Sequence, residues 1–176
     1  GLRMWFSLIT PKEAIHEPND LFGEGEYVGV FPARDGQAGV LFLATMQHEA
    51  PEPPQTRLAY LKKRFDDFGW LVPAILDELR EPAIFAMDIE QISLNVWHKG
   101  RIVLLGDAAH AVSPTAALGG AMALEDAHVL AEELRNVNTM QIEQALARYT
   151  ARRKPRIAKV HHTADFLIWL ASMNLP

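Results

Sequence analysis

The stretch best suited to chemistry is LLGDAAHAVSPTAALGGAMALEDA, residues 104–127. It begins with apolar residues, continues through Asp107 and Pro114, and then reaches the adjacent Gly119 and Gly120. A carboxylate just beyond an apolar strand lies at the sheet edge where ligands of α/β proteins bind. Because an ionised carboxylate only accepts hydrogen bonds, it suits a ligand that carries several hydroxyl groups. The spacing therefore predicts a ligand-binding turn at Asp107.

The small residues that follow favour a flat ligand. Pro114 forces an extended entry into the loop, and backbone N–H groups at a helix start attract negative charge. Side chains are minimal where the next helix begins, at Ala116, Ala117, Gly119, Gly120 and Ala121. A hydroxyl-binding acid, a bare peptide surface and a helix N-terminus together describe a flavin site. The alternative is close strand–helix packing with Asp107 as a helix cap, and both interpretations fit the spacing.

Three other features are weaker candidates. The glycines of GEGEYVG, residues 23–29, precede a strand and lack the spacing of a dinucleotide fingerprint, so they predict a turn. Residues 161–162 are adjacent histidines, which point in different directions on a helix and predict packing or surface roles rather than a metal site. Asp107, His110 and Ser113 have the residue types of a hydrolytic triad, but Ser113 directly precedes a proline and no serine lies in a G-x-S-x-G elbow. No metal ligand or catalytic side chain is assigned.

The elements of the first half are predicted from short apolar runs. Strands are expected over 3–10, 26–33 and 38–46, with Asp35-Gly36 at a hairpin turn, and their spacing suggests an antiparallel meander. The periodicity of 56–72 predicts an amphipathic helix, and a second short helix is expected between Pro73 and Pro82. Residues 83–97 return to a strand-like pattern.

The second half is mainly helical. Residues 101–105, RIVLL, predict a strand covered on both faces. A helix is expected from Gly120 to about 136–138, and Asn138 with Gln141 predicts a capped start for the next one. Pro155 should interrupt or restart that helix before a last helical segment.

The amino-acid composition limits the kinds of binding partner and chemistry that are expected for this chain. The net charge of −5 argues against nucleic-acid binding, and the basic run 148–159 is interpreted as a solvated helix face rather than a phosphate or membrane patch. The sequence has no cysteine, which excludes disulfides and thiolate chemistry. Neither terminus has a signal-peptide pattern or an apolar run of membrane-spanning length, so a cytoplasmic protein without an integral membrane segment is expected.

Residues 100–134, GRIVLLGDAAHAVSPTAALGGAMALEDAHVLAEEL, closely resemble the Gly-Asp motif of the class A flavoprotein monooxygenases, the para-hydroxybenzoate-hydroxylase-like family. The resemblance extends over about 83–165 and more weakly over 26–82. It implies FAD as cofactor, NAD(P)H as co-substrate and hydroxylation of a small organic, often aromatic, substrate. It also implies that the cofactor supplies the difficult chemistry while the protein positions it and excludes water.

Site residues follow from the same resemblance. Gly106 and Asp107 match the motif's Gly-Asp, so Asp107 would hydrogen-bond the ribityl chain, and Pro114 would lie beside the isoalloxazine ring. Gly119, Gly120 and Ala121 would face the pyrimidine side of that ring. The chain departs from the family in having Ala117 where a glycine is common and Ala121 where an asparagine is common.

The chain also has no G-x-G-x-x-G and no second, Asp-Gly-containing motif in the family's context. The resulting expectation is an α+β chain that corresponds to the C-terminal portion of such a monooxygenase. Residues 1–96 would form the antiparallel sheet of a partial substrate-side lobe, and 97–176 the last strand and closing helices of an FAD-binding, glutathione-reductase-like domain. This chain alone is expected to be inactive, to hold FAD poorly and to be able to oligomerise through exposed apolar surface. A related reductase or halogenase, and a non-enzymatic module, are the alternatives.

Overall fold

The computed structural model describes residues 1–46 and 50–171. They form two compact units, the first of residues up to Ile89 together with Ala171, and the second Glu90–Leu170. The sequence-based boundary lay at 96/97. No helix in these two described ranges combines the length and apolarity that a membrane crossing requires.

The first unit is built on an antiparallel sheet with the strand order β2-β3-β4-β1-β5. Its strands are β1 (Leu2–Ile9), β2 (Asn19–Phe22), β3 (Glu26–Pro32), β4 (Ala38–Thr45) and β5 (Phe85–Asp88). Two helices accompany the sheet, α1 (Arg57–Phe65) and α2 (Val72–Glu78). Alternate residues such as Trp5, Val28 and Phe42 are buried and form one core with Leu61 and Phe65 of α1. The predicted antiparallel sheet and both helices are confirmed.

The strand order corrects the predicted meander. Strands β2, β3 and β4 follow one another, but β1 pairs with β4 on one side and with β5 on the other. The turn between β3 and β4 is the predicted one, because Asp35 and Gly36 both adopt positive φ, at 57° and 73°. The predicted strand over 83–97 is confirmed only at β5, and Val96 is largely exposed.

The second unit contains a two-stranded ribbon and three helices. Its elements are β6 (His98–Lys99), β7 (Ile102–Val103), α3 (Asp107–His110), α4 (Gly119–Leu134) and α5 (Ile142–Ala171). Its core joins Trp97, Met122, Tyr149, Ile157 and Val160.

Two predictions for this unit are wrong. The run RIVLL forms only the short β7. The strand was expected to be covered on both faces, but Ile102 is 73% exposed in the part of the chain that the structure describes. Pro155 does not break the helix, because α5 continues through it. A proline inside a helix costs roughly 3 kcal/mol through its missing N–H and a steric clash. Burial of Arg153, Ile157 and Val160 around that position offsets the cost.

The basic run of α5 is neutralised by acids of α4. Arg148 and Arg152 bond to Glu133, with N–O distances of 2.7 and 2.8 Å, and Arg156 lies 3.3 Å from Glu125. These three arginines are about half exposed, so the interpretation as a solvated helix face holds for them, whereas Arg153 of the same run is buried. The predicted capping box at Asn138 and Gln141 is also present.

Candidate functional site

The turn that carries Asp107 is formed by a backbone conformation that requires glycine. Gly106 has φ 59° and ψ −143°, a region essentially restricted to residues without a Cβ. A Cβ at this position would also lie 3.1 Å from the Cβ of Ala123 on α4. For Gly106, the packing interpretation and the requirement for a sharp turn therefore both hold.

A buried carboxylate on α4 holds this turn in place. Asp126 Oδ2 accepts hydrogen bonds from the Gly106 N–H at 2.8 Å and from His110 Nε2 at 2.6 Å. Its Oδ1 accepts one from Arg153 Nε at 2.6 Å, and all of its side chain is shielded from solvent. The three side chains thus connect α3, α4 and α5 beneath the Gly-Asp turn.

The charge of Asp126 is stabilised by these partners. Burial alone would raise the pKa of Asp126, but hydrogen bonds from Gly106, Arg153 and His110 outweigh it and lower the pKa below the usual value. Nearby Tyr149 is affected in the opposite direction: burial, followed by the Asp126 charge, raises its pKa. Sequence reasoning did not identify this network. The only signal was a pair of acids, Glu125 and Asp126, on a helix whose other inward residues are apolar.

Asp107 itself lies on the surface. It is exposed in the first turn of α3, and none of the residues described in the structure donates a hydrogen bond to its carboxylate. Asp107 caps neither neighbouring helix, because the N-cap of α3 is Gly106, the N-cap of α4 is Leu118, and neither helix start has a side-chain capping hydrogen bond. A Cβ at Gly119 would lie 3.9 Å from Asp107 Oδ1, so the fold brings the carboxylate to the start of α4.

The hydrolytic alternative fails on geometry. The Ser113 hydroxyl is buried and lies 2.8 Å from Thr115 Oγ1. His110 directs Nε2 to Asp126, whereas Asp107 is exposed. These residues therefore do not form a relay, and Ser113 instead caps the short 3₁₀ turn Pro114–Ala116.

Ala117 ends that turn in the left-handed conformation, with φ 51° and ψ 24°. We expect Ala117→Gly to raise the free energy of unfolding by about 0.5–1 kcal/mol, because glycine adopts positive φ without the steric cost that alanine has. Ala127→Gly, in the middle of α4, should instead lower it by about 1 kcal/mol. Urea denaturation of both variants tests this contrast. An Ala117→Gly variant less stable than the parent would contradict the argument.

The start of α4 exposes backbone rather than side chains. The first helical bond runs from the Met122 N–H to the Leu118 carbonyl, so the N–H groups of Gly119, Gly120 and Ala121 precede it and lie at the open helix end. No described side chain caps this end. A Cβ at Gly120 would meet nothing within 4 Å. Packing therefore does not explain this glycine, which leaves an open peptide surface beside Asp107.

The adjacent histidines His161 and His162 lie in different surroundings. His161 Nδ1 lies 2.8 Å from Gln91 Oε1, and His162 is exposed. Burial is the main reason that the pKa of His161 is lowered. Across residues 1–46 and 50–171, no three histidine or acidic side chains are grouped so that they could hold a metal ion.

Comparisons with known proteins agree with the resemblance found in residues 100–134. The family model described as FAD binding domain matches residues 5–164. Aurachin C monooxygenase/isomerase of Stigmatella aurantiaca is 33% identical over 159 residues, which are 89% of this chain and 41% of that protein. For 6-hydroxynicotinate 3-monooxygenase of Pseudomonas fluorescens, the identity is 38% over 110 residues, 61% of this chain and 28% of the relative.

A solved structure shows the same fold. HpxO of Klebsiella pneumoniae, crystallised with FAD and uric acid, superposes with a TM-score of 0.87 at 26% sequence identity. The match covers 98% of this chain and 45% of that protein. The chain therefore spans less than half the length of the proteins that it matches.

Proposed function

Because this chain belongs to the FAD binding domain family, we propose that residues 106–121 hold the ribityl chain and isoalloxazine ring of FAD. The observation that carries the proposal is the open peptide surface at Gly120 beside the exposed, unpaired carboxylate of Asp107, as far as the chain is described. Gly120 lies in the first turn of α4, where alanine would be favoured over glycine by at most about 1 kcal/mol, the value for a helix interior. Gly120 weakens α4 although a Cβ at this position would clash with nothing. A ligand that approaches the backbone here explains why the position carries a glycine.

The proposed roles follow from the chemistry of each group. The Asp107 carboxylate accepts hydrogen bonds from ribityl hydroxyls, and the N–H groups of Gly119, Gly120 and Ala121 favour the electron-rich pyrimidine edge. Pro114, which is exposed, forms the wall beside the ring. Asp126 keeps Gly106, and through it Asp107, in position.

We propose that the protein to which this chain corresponds is an FAD-dependent monooxygenase. The bound flavin supplies the redox chemistry: substrate–H, O₂, NAD(P)H and H⁺ yield substrate–OH, NAD(P)⁺ and water. The residues of this chain bind and orient the flavin and keep water from its ring.

The substrate is proposed to be a small ring compound. The names of two relatives support this, since one acts on 6-hydroxynicotinate and the other was crystallised with uric acid. Exposed apolar residues of the second unit, Val96, Ile102 and Leu124, favour a further polypeptide partner, including a second copy of this chain.

A comparison of two flavins tests the site. We expect this chain to bind FAD and FMN weakly and with affinities within about threefold of each other, because no G-x-G-x-x-G is present to hold the ADP part. Amide signals of residues 106–121 should shift saturably in NMR titrations with either flavin. The purified chain should be colourless.

Three outcomes would contradict the proposal. They are the absence of a saturable shift at millimolar FMN, shifts that are confined to the first unit, and FAD affinity that exceeds FMN affinity by more than about tenfold, equivalent to 1.4 kcal/mol.

A further inference from the structure

One edge of the ribbon formed by β6 and β7 is open. The Leu104 N–H donates to the Trp97 carbonyl at 2.8 Å, and Val103 lies opposite His98. Because backbone groups of an extended strand point alternately to its two sides, those of Leu104 face β6, whereas those of Val103 and Leu105 face away from it. Within the described chain, no backbone partner bonds to these outward groups. Residues 102–105 therefore present free donors and acceptors along what we call the outer edge.

The side chains beside the outer edge are apolar and accessible. Ile102 is 73% exposed and Leu105 is 39% exposed. Proteins usually protect such an edge from pairing with a charged residue or a proline, but residues 102–105 contain neither. The outer edge is therefore suited to pair with a further strand.

Charges at the two ends of this run restrict the direction of that strand. Arg101 precedes the run and Asp107 follows it. Both side chains are exposed, and neither forms an ion pair with any residue that the structure describes. An extended chain of this length spans roughly 15–20 Å, so the two charges do not pair with each other.

Antiparallel pairing of two copies brings these charges together. The outward-facing Val103 of one copy then lies opposite the outward-facing Leu105 of the other, and a two-fold axis passes beside Leu104. In that register Arg101 of each copy lies opposite Asp107 of the other. Residues that face each other across antiparallel strands have Cβ atoms roughly 4.5–5.5 Å apart, which an arginine side chain spans easily. Parallel pairing would instead place Arg101 beside Arg101.

We propose that two copies of this chain associate through their outer edges as antiparallel strands. The two ribbons then form one continuous sheet, and the two-fold axis repeats every hydrogen bond and ion pair. The contact is small, so the association is weak, with a dissociation constant of about 0.1–1 mM. Arg101 of one copy also covers the Asp107 carboxylate of the other. Competition with flavin at that carboxylate rests on the proposed function, whereas the dimer itself does not.

The test uses the complete 176-residue chain. Sedimentation equilibrium up to about 1 mM protein should show a monomer–dimer equilibrium. Amide hydrogen exchange of Val103 and Leu105 should become slower as the protein concentration rises, because these two N–H groups are bonded only in the dimer.

Exchange of the end charges tests the orientation. Arg101→Asp places two carboxylates opposite each other at both ends of the contact and should weaken association at least about tenfold. Asp107→Arg places two guanidinium groups there and should have the same effect. In an equimolar mixture of the two variants, the mixed dimer regains both ion pairs and should form with an affinity within about threefold of that of the parent chain.

Lys159→Asp is the matched control, because it makes the same change of charge at an exposed position of α5. It should leave association unchanged. A chain that stays monomeric at about 1 mM would leave the outer edge to a different polypeptide and overturn the proposal. So would an Arg101→Asp variant that associates like the parent or like Lys159→Asp, or a mixture that associates no better than either variant alone.

Discussion

Replacement of Asp126 by asparagine should lower the free energy of unfolding of the second unit by about 3 kcal/mol, since it removes the buried partner of an ion pair and leaves the buried Arg153 with the partly exposed Glu125 as its carboxylate partner. The affected partner is Arg153, whose side chain is buried and whose Nε donates a hydrogen bond to Asp126 at 2.6 Å. Asparagine keeps the shape of aspartate, so the loss reports charge and hydrogen bonding rather than a cavity. Urea denaturation followed by amide signals of α4 and α5 measures it.

The matched control is Glu125→Gln. Glu125 neighbours Asp126 and also bonds to Arg153, at 2.6 Å, but its side chain is 39% exposed. Because exposed ion pairs contribute about 0–1 kcal/mol, this variant should lose far less stability. Equal losses in the two variants would contradict the claim that the buried carboxylate anchors the Gly-Asp turn.

The contribution of Asp126 to stability should decrease as the pH falls. Its pKa in the folded protein is lowered by its hydrogen bonds from Gly106, Arg153 and His110, despite the opposing effect of burial. The stabilisation is therefore present above the unfolded-state pKa and is lost as the pH falls through the folded-state pKa. The stability difference between the parent chain and Asp126→Asn should accordingly shrink in strong acid, which denaturation at a series of pH values measures.

Unlike Asp126→Asn, substitution of Asp107 by alanine should reduce flavin affinity and leave stability almost unchanged. It should weaken FMN binding by about 10–100-fold, because hydrogen bonds to a charged group contribute about 1.5–3 kcal/mol. The free energy of unfolding should change by less than about 0.5 kcal/mol, because the side chain is exposed and bonds to none of the described residues. NMR titration and urea denaturation give the two quantities.

The comparison for Asp107→Ala is Asp67→Asn, which removes an exposed charge from the first unit. It should alter neither quantity. Removing Asp107 also removes its charge repulsion with the FMN phosphate. Riboflavin lacks that phosphate, so a loss of hydrogen bonds should weaken riboflavin binding by the same factor as FMN binding. Unchanged flavin affinity in Asp107→Ala would remove the basis of the proposed site, whatever the result for Asp126.

Local features were predicted well because a few neighbouring residues encode them. Asp35 and Gly36 form the expected turn since these residue types tolerate positive φ. The capping box at Asn138 formed because its partner Gln141 lies one helical turn away. By contrast, whether α5 continues through Pro155 depended on the burial of residues on both sides of it, which the local sequence pattern does not reveal.

The site was predicted in part for the same reason. The order of Gly106, Asp107 and Gly120 was sufficient to predict a ligand-binding turn. It left open whether these small residues serve packing or binding. In the structure a Cβ at Gly106 would lie 3.1 Å from the Cβ of Ala123, whereas a Cβ at Gly120 would meet nothing within 4 Å, so packing accounts for Gly106 and not for Gly120.

The sequence by itself predicted α1, α2, α4, the capped start of α5 and the strands β1, β3 and β4, since backbone preferences and periodicity act over a few residues. Only the tertiary structure decided that β1 pairs with β4 and β5 and that Asp126 joins Gly106 to Arg153. The physical reason is separation along the chain: Gly106 and Arg153 lie 20 and 27 residues from Asp126. Hydrogen bonds over such distances form only once packing has removed water from the groups that they join.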